Sequence, residues 1–389
     1  MQISVVIVNY NVSHFLHQCV LSVKAALQGM TGEIIVVDNQ STDDSQSRIQ
    51  THFPEVIWIG NHENVGFSKA NNQGVALAKG KYILILNPDT IISEDTILKL
   101  YQFAEKNPSK GAIGVPLYDG SGTFLPESKR NIPRIWVSIQ KMLGITQAYY
   151  AAHLSENESG DVSILVGAFM WMEKSKYVEV GGFDEDYFMY GEDIDLSYKL
   201  LKRGYTNYYL ANTQVIHYKG ESTLKNTAYL RNFYGAMQIF YRKHFKINFF
   251  YDFIIGLGIQ FWYFFNYFRL KSTNQNTPLP KHILYVGSEN DIYVQLQKYY
   301  QDSEVFVFAI CSTRAISRFD DLEQIKKMIS EKGIQEIVFD HQNNPYSKII
   351  FYMIQLSSHP LTFRIHPSQT DFIIGSDART TKGSVIQLK

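Results

Sequence analysis

Short runs of branched apolar residues alternate with helical patterns from the first residues onward, and this alternation restricts the fold most strongly. The first four runs are Val5–Val8, Ile34–Val37, Val56–Ile59 and Tyr82–Leu86. Helical patterns lie between them at about 13–27, from about 41, and at 68–79. Continuous apolar runs of this length are typical of strands buried on both faces of a parallel sheet. The sequence therefore predicts an α/β fold with a doubly wound, mostly parallel sheet.

A second α/β pattern begins near residue 281 and continues to the end of the chain. Its strand-like runs are His282–Val286, Val305–Ile310, Ile334–Phe339, Leu361–Ile365 and Phe372–Ile374. A polar, proline-bearing stretch at 272–280 precedes it and has the composition of a linker. We predict a first domain at 1–240, an aromatic-rich segment at 241–271, the linker, and a smaller Rossmann-like domain at 281–389. No phosphate-binding glycine fingerprint marks that second domain, so its role stays open.

The segment 247–268 is unusually apolar, since only Asn248, Asp252, Gln260 and Asn266 among its 22 residues are plainly polar. Its length suits a membrane span. On a helical projection, however, the polar residues fall within one sector of about 120°, which favours a helix lying in a membrane interface or packed on protein. A contact with the membrane surface through 247–268 is our leading interpretation, and a buried pair of helices between the domains is the alternative.

Charge and cysteine content exclude some classes of protein. The 389 residues carry 37 basic and 37 acidic side chains, and such a zero net charge argues against a nucleic-acid partner. The two cysteines, Cys19 and Cys311, form no metal-binding or disulfide pattern, so a reducing cytoplasm is the simplest location.

Polar residues follow the predicted strands at the edge where ligands of such sheets bind. Asp38 ends the second strand and could accept hydrogen bonds from a base or a ribose, although a carboxylate there also commonly forms a turn. The segment 64–74 contains Gly66, which permits close backbone approach, and several asparagine amides. It could hold a sugar or a nucleotide, or could equally be an ordinary loop before a helix.

Two further residues suggest a metal site. Asp89, after Asn87 and Pro88, would present a carboxylate at the sheet edge, where a divalent cation could connect it to a diphosphate. A simple turn before the helix that Ser93 would cap is the alternative. His217 ends another apolar run and becomes a candidate metal ligand if Asp89 lies nearby.

An acidic cluster predicts acid–base chemistry. Glu192, Asp193 and Asp195 crowd the first turn of a helix after Gly191. The helix dipole alone favours acids there, but three acids in four residues also repel one another and raise at least one pKa. A carboxylate with a raised pKa suits a general base acting on a hydroxyl group.

Taken in order, these motifs resemble the family 2 glycosyltransferases with the GT-A fold, particularly their rhamnosyltransferase-like branch. The resemblance covers about residues 3–225. It includes Val8-Asn9-Tyr10-Asn11, Val37-Asp38-Asn39-x-Ser41-x-Asp43, Asn64-x-Gly66-Phe67-x-x-Ala70-Asn71, Leu86-Asn87-Pro88-Asp89, Gly167-Ala168, the run from Gly181 to Leu196, and His217.

The resemblance implies an inverting transfer of a sugar from a nucleotide-diphosphate donor, of UDP or dTDP type, to a hydroxyl of a saccharide or lipid-linked saccharide. Asp193 would be the catalytic base, supported by Glu192, and Asp89 with His217 would bind Mg²⁺ or Mn²⁺. An imidazole ligand favours Mn²⁺. The implied donor-binding residues are Val8, Asn9, Tyr10, Asp38, Asn64, Gly66, Asn71 and Asn87, and the implied acceptor or sugar contacts are Gly167, Ala168 and Phe188.

This sequence departs from the family's Asp-x-Asp metal motif at Asn87, which removes one negative charge but keeps a group able to hydrogen-bond a ribose. The resemblance also implies a role in bacterial surface-polysaccharide synthesis, at the cytoplasmic face of the inner membrane. Two other functions stay open at this point. One is a sugar nucleotidyltransferase, although 9–13 lack its glycine-rich basic loop. The other is a non-catalytic carbohydrate or membrane docking protein.

Overall fold

The computed structural model describes residues 1–142, 144–218, 227–245, 279–309, 318–376 and 383–388. The strands of its N-terminal part are β1 Ile3–Asn9, β2 Gly32–Asp38, β3 Ile57–Gly60, β4 Tyr82–Leu86, β5 Thr90–Ile92, β6 Lys110–Gly114, β7 Leu117–Tyr118, β8 Lys129–Arg130, β9 Gly160–Val162, β10 Ile164–Leu165, β11 Phe169–Glu173, β12 Thr206–Tyr209 and β13 Val215–His217. Its helices are α1 Ser13–Ala26, α2 Ser45–His52, α3 Phe67–Leu77, α4 Thr96–Lys106, α5 Ile135–Met142, α6 Lys174–Glu179, α7 Glu192–Lys202 and α8 Thr227–His244, with a 3₁₀ turn at Pro126–Ser128.

Eight of these strands form the main sheet, in the order β3-β2-β1-β4-β11-β6-β12-β9. The first four strands of this order are parallel to one another. Strand β1 is buried along its whole length, as its apolar run Val5–Val8 predicts. The register sets Asn9 opposite Asp38 and Ile7 opposite Leu86, so the three strands end at one edge. Strand β11 then pairs antiparallel with β4 and β6, which makes the sheet mixed.

A smaller sheet, β5-β13-β7, follows β4 in the chain, and its two faces pack against two different hydrophobic cores. Because side chains alternate along a strand, successive residues point to opposite faces. Ile92 and Val215 pack into the core of the N-terminal domain. Ile91 and Ile216 pack on the other side, together with side chains from beyond residue 281. This sheet therefore joins the two halves of the chain.

The C-terminal part forms its own six-stranded sheet, in the order β15-β14-β16-β17-β18-β19. The first four strands are parallel and the last two pairings are antiparallel. The elements are β14 His282–Val286, α9 Asp291–Tyr299, β15 Glu304–Phe308, α10 Arg318–Lys332, β16 Glu336–Asp340, α11 Tyr346–Gln355, β17 Thr362–His366, β18 Phe372–Ser376 and β19 Gly383–Gln387. The predicted second α/β domain is thus confirmed.

Two hydrogen bonds connect the N-terminal domain to the first residues of α11 in the C-terminal domain. Glu94 accepts a bond from the backbone N–H of Tyr346 at 2.6 Å and another from Ser347 at 3.0 Å. A carboxylate there satisfies backbone donors that lack partners within the helix and lies at the positive end of its dipole. Nearby, the ring of Phe372 packs edge-on against His14.

The predicted strands agree with the observed ones within about two residues, and β4 and β14 match their predicted bounds. Helix α8 crosses the predicted domain boundary at 240, and that boundary stays a prediction. Segment 247–268 and nearly all of the predicted linker lie outside the described residues. Within the described part of the chain, no helix is both long enough and apolar enough to cross a bilayer.

We expect Glu94→Ala to lower the free energy of unfolding by about 1–3 kcal/mol, because two backbone N–H groups of α11 lose a charged acceptor. Equilibrium urea unfolding measures this change. Glu63→Ala is the matched control, because Glu63 is exposed and such a site changes stability by about 0.5 kcal/mol or less. Equal losses in the two variants would show that the bonds of Glu94 do not stabilise the domain contact.

Candidate functional site

Asp89 and His217 meet at the carboxyl edge of the sheet. The antiparallel pairing of β13 with β5 sets His217 opposite Thr90, so Nε2 of His217 lies 3.3 Å from Oδ1 of Asp89. The amide Nδ2 of Asn87 lies 3.4 Å from the same ring nitrogen. Asp89 is 3% exposed and His217 is 8% exposed. The condition that made His217 a candidate ligand, its proximity to Asp89, is therefore met.

These atoms fit a divalent cation. Two neighbouring ligands of an octahedral ion with bonds of about 2.1 Å lie about 3 Å apart, close to the separation of Asp89 and His217. Oδ1 of Asn87 is buried without a hydrogen-bond partner. Among the described residues, no group of three or more acidic, histidine or cysteine side chains has a metal-binding arrangement. An ion held by Asp89 and His217 would therefore complete its coordination with water or with oxygen atoms of a ligand.

Asp38 lies at the end of β2 and makes the turn that was the alternative to a binding role. Its Oδ1 accepts bonds from Nδ2 of Asn9 at 2.7 Å and from Oγ of Ser41 at 2.6 Å. Its Oδ2 accepts from the backbone N–H of Ser41 at 2.9 Å. Because a carboxylate offers about four acceptor positions, one position on Oδ2 is left for a ligand. Forming the turn and binding a ligand are therefore compatible for Asp38.

The loop before α3 lies beside the loop that carries Phe188. The backbone N–H of Phe67 bonds the carbonyl oxygen of Phe188 at 2.8 Å. A Cβ atom at Gly66 would lie 2.6 Å from that oxygen, and Gly66 has φ +86°, so only glycine fits. Asn64 fixes the turn by accepting from the N–H of Gly66 at 3.0 Å. The side chain of Phe188 is 45% exposed and is therefore available to a ligand.

Three other predicted donor-binding residues have different surroundings. Val8 is buried within the sheet, so any contact with a ligand would come from its backbone. Tyr10 is exposed at the end of β1. Asn71 is buried in α3, where its Nδ2 donates to the carbonyl of Phe67 at 2.9 Å while its Oδ1 has no partner.

Asp193 is linked to the same edge of the sheet by the two residues that precede β11, Gly167 and Ala168. The backbone N–H of Gly167 donates to Oδ2 of Asp193 at 3.0 Å. The next residue, Ala168, accepts a backbone bond from Asn87 at 2.9 Å. Asp193 is thus connected to Asn87, and through it to His217, by a short chain of contacts. The structure brings the acidic helix start to the sheet edge that carries Asp89.

The two adjacent acids at the start of α7 differ in their partners. Asp193 is ion-paired with Arg130, whereas Oε2 of Glu192 is buried with no hydrogen-bond partner. Burial, together with the neighbouring charge of Asp193, raises the pKa of Glu192 to about 8. Glu192 therefore holds its proton at neutral pH. The third acid, Asp195, bonds His244 and Lys199. These two contacts hold the pKa of Asp195 below the usual range despite burial.

Arg130, Asn39 and Ser41 also belong to this region, although none of the three is among the predicted site residues. Asn39 donates to the carbonyl of Gly66 at 3.1 Å and connects the end of β2 to the loop before α3. Its place in the motif after Asp38 was a usable signal, and the same is true of Ser41. Arg130 lies in a stretch without a motif, so only its position beside Asp193 reveals it.

Comparison with known proteins gives a consistent family. Residues 4–181 match the family described as "Glycosyl transferase family 2". An N-acetylglucosaminyl-diphospho-decaprenol L-rhamnosyltransferase of Mycobacterium tuberculosis is 28% identical over 242 residues, covering 58% of this chain and 78% of that protein. Rhamnosyltransferase WbbL of Escherichia coli K12 is 32% identical over 196 residues, covering 48% of this chain and 72% of that protein.

Solved structures give weaker likenesses. A mannosyltransferase from Pyrobaculum calidifontis, PcManGT, in complex with GDP-Man and Mn²⁺, aligns with a TM-score of 0.44 and 17% identity, over 64% of this chain and 65% of that one. Residues 1–349 of S. aureus TarS align with a TM-score of 0.45 and 15% identity, over 70% and 76% of the two chains.

The mixed α/β sheet and the family match confirm the predicted fold class and the predicted resemblance. The match to WbbL spans most of that relative. The chain belongs to glycosyltransferase family 2.

Proposed function

We propose that this glycosyltransferase moves a rhamnosyl or similar hexosyl group from a UDP- or dTDP-linked donor to a hydroxyl of a lipid-linked saccharide, in the synthesis of a bacterial surface polysaccharide. The meeting of Asp89 with His217 beside Asn87 is the observation that carries the proposal, because a divalent cation held there would neutralise the charge of a bound diphosphate. The names of the relatives from M. tuberculosis and E. coli support the choice of sugar and acceptor. The family match offers no support for a nucleotidyltransferase or a docking protein.

Asp89 and His217 would hold Mn²⁺ or Mg²⁺, with Mn²⁺ favoured by the imidazole ligand. Such an ion, when bound, offsets negative charge that accumulates on the departing nucleoside diphosphate. Asn87 would accept a hydrogen bond from a ribose hydroxyl, since its Oδ1 is buried and unpartnered. Asp38 and the backbone near Asn9 and Tyr10 would contact the nucleoside.

Asp193 is our candidate general base, with Glu192 beside it in a neutral form. In the transfer, the acceptor oxygen forms a bond to the anomeric carbon while its proton passes to Asp193. The bond from the anomeric carbon to the diphosphate oxygen breaks, and its electron pair leaves with the nucleoside diphosphate. One displacement of this kind inverts the configuration of the sugar. Phe188, Gly167 and Ala168 would line the acceptor side.

A lipid-linked acceptor would locate the reaction at the cytoplasmic face of the inner membrane. The sequence of 247–268, with its apolar length and its one-sided polar stripe, supports a contact with the membrane surface. Helix α8 ends shortly before this segment in sequence and has Arg242 and Lys243 in its last turn. Cations near a membrane surface favour binding to anionic lipids.

Asp193→Asn should reduce transfer by at least about 10²-fold while leaving donor affinity within about twofold, because the amide cannot accept the acceptor proton. Calorimetric titration with UDP-, dTDP- and GDP-sugars identifies the donor, and a transfer and donor-hydrolysis assay then gives the rate. Asp186→Asn is the matched control, since Asp186 is exposed and pairs only with Lys243 among the contacts described. Turnover near the parent rate in Asp193→Asn would exclude Asp193 as the base.

Asp89→Ala and His217→Ala should each weaken Mn²⁺-dependent binding of the donor by about tenfold or more, because each removes one of two protein ligands. Titration of the nucleotide with and without Mn²⁺ measures this effect. His153→Ala serves as the control, because His153 is an exposed histidine far along the chain from both ligands. The shared metal site is wrong if Mn²⁺ leaves the nucleotide affinity of the parent protein unchanged.

The raised pKa of Glu192 predicts a dependence of stability on pH. Between about pH 4.5 and 8 the folded protein keeps a proton on Glu192 that the unfolded chain has lost. Stability from this group is therefore complete below pH 4.5 and declines as the pH rises through 8. Thermal unfolding midpoints from pH 5 to 9 should fall less steeply in Glu192→Gln than in the parent and in Glu63→Gln. Parallel curves for all three proteins would contradict the protonated state of Glu192.

A further inference from the structure

Arg130 connects a small sheet to the candidate base. It lies on β8, which pairs antiparallel with β10 and sets Arg130 opposite Ile164. One guanidinium nitrogen, Nη2, donates to the carbonyl oxygen of Leu165 at 2.6 Å and to Oδ2 of Asp193 at 2.5 Å. The side chains of Arg130 and Asp193 are both about nine-tenths buried. The ion pair is thus shielded from solvent and anchored to the backbone of β10.

The orientation of Asp193 follows from these contacts. Its Oδ2 accepts bonds from Arg130 and from the N–H of Gly167, and its Oδ1 accepts at 2.7 Å from the N–H of Ile194. Three backbone and side-chain donors on different segments therefore fix the plane of the carboxylate. A charge-assisted bond to a guanidinium contributes direction as well as energy.

The charges around Asp193 explain why a cation is needed there. Glu192 lies beside it on α7, and two adjacent buried carboxyl groups cannot both ionise without a large cost. Asp195, on the same helix, adds a further negative charge that acts on Glu192, although it bonds Lys199 and His244. On the opposite side, Tyr149 faces Arg130, and Lys141 lies over the ring of Tyr149. Arg130 is the positive group that contacts Asp193 directly.

We propose that Arg130 is a positioning residue of the transfer reaction, which pairs its charge with Asp193, holds the plane of that carboxylate and aims it at the acceptor hydroxyl. This inference rests on the proposed function, in which Asp193 takes the acceptor proton. Arg130 forms no bond to substrate in this account and acts through Asp193. Without Arg130, Asp193 loses its paired positive charge and a donor that holds the plane of its carboxylate.

The test is the pH dependence of transfer by Arg130→Gln in the full-length protein. We expect kcat at pH 7 to fall about 10–100-fold, the size of effect that misplacing a catalytic group produces, with the donor KM changed less than threefold. The acidic limb of the kcat profile should move to higher pH, so that part of the lost rate returns at pH 9. A parent-like kcat or an unshifted limb would overturn the proposal.

Two further variants separate positioning from simple stability. Arg364→Gln breaks a comparably buried ion pair, that of Arg364 with Glu336 in the C-terminal domain. It should lower the stability of the protein without shifting the acidic limb of the pH profile of kcat. Arg130→Lys keeps the positive charge but lacks the planar, forked geometry of the guanidinium group. We therefore expect an acidic limb at the same pH as in the parent protein and a kcat reduced about tenfold. If Arg130→Gln fails to fold, Arg130→Lys alone decides, and a parent-like kcat in it would refute the proposal.

The outcomes also distinguish this inference from the proposed function. Full turnover by Asp193→Asn would remove the base itself. Loss of turnover in Asp193→Asn, combined with parent-like behaviour of Arg130→Gln, would leave the base in place and remove only the role of Arg130.

Discussion

The pairing of β13 with β5 is the constraint on which the site depends. His217 and Asp89 are 128 positions apart in the chain, and the register of two three-residue strands brings their side chains within 3.3 Å. The backbone N–H of Tyr218 also bonds the carbonyl of Asp89 at 3.0 Å, so the main chain itself holds the two residues together. A shift of one residue in this register would turn His217 to the other face of the small sheet.

Most of the sheet could be predicted from sequence because its strands are buried on both faces. Runs such as Tyr82–Leu86 are apolar without interruption, which leaves little choice of structure or of ends. The small sheet was harder to foresee. Strands β5 and β13 are three residues long, and β7 is two, which is too short for a periodic pattern to appear.

Some residues of the candidate site could likewise be predicted from the sequence, and others could not. Residues at strand ends and in motifs, such as Asp38 and Asp89, could be predicted because parallel strands place their carboxyl ends together. Arg130 could not, because its two-residue strand carries no pattern and its partner Asp193 is 63 positions away. The raised pKa of Glu192 was foreseen only as repulsion among neighbouring acids, since its burial, the larger cause, follows from the fold.

The shared core between the domains has a consequence for how this enzyme could be shortened. Ile91 and Ile216 lie close to Asp89 and His217 in sequence, and their side chains are covered by apolar groups from beyond residue 281. Removing about the last hundred residues would expose one face of strands β5 and β13, which carry or adjoin Asp89 and His217, to solvent. A variant shortened in this way would need polar side chains at positions 91 and 216 to keep these strands stable.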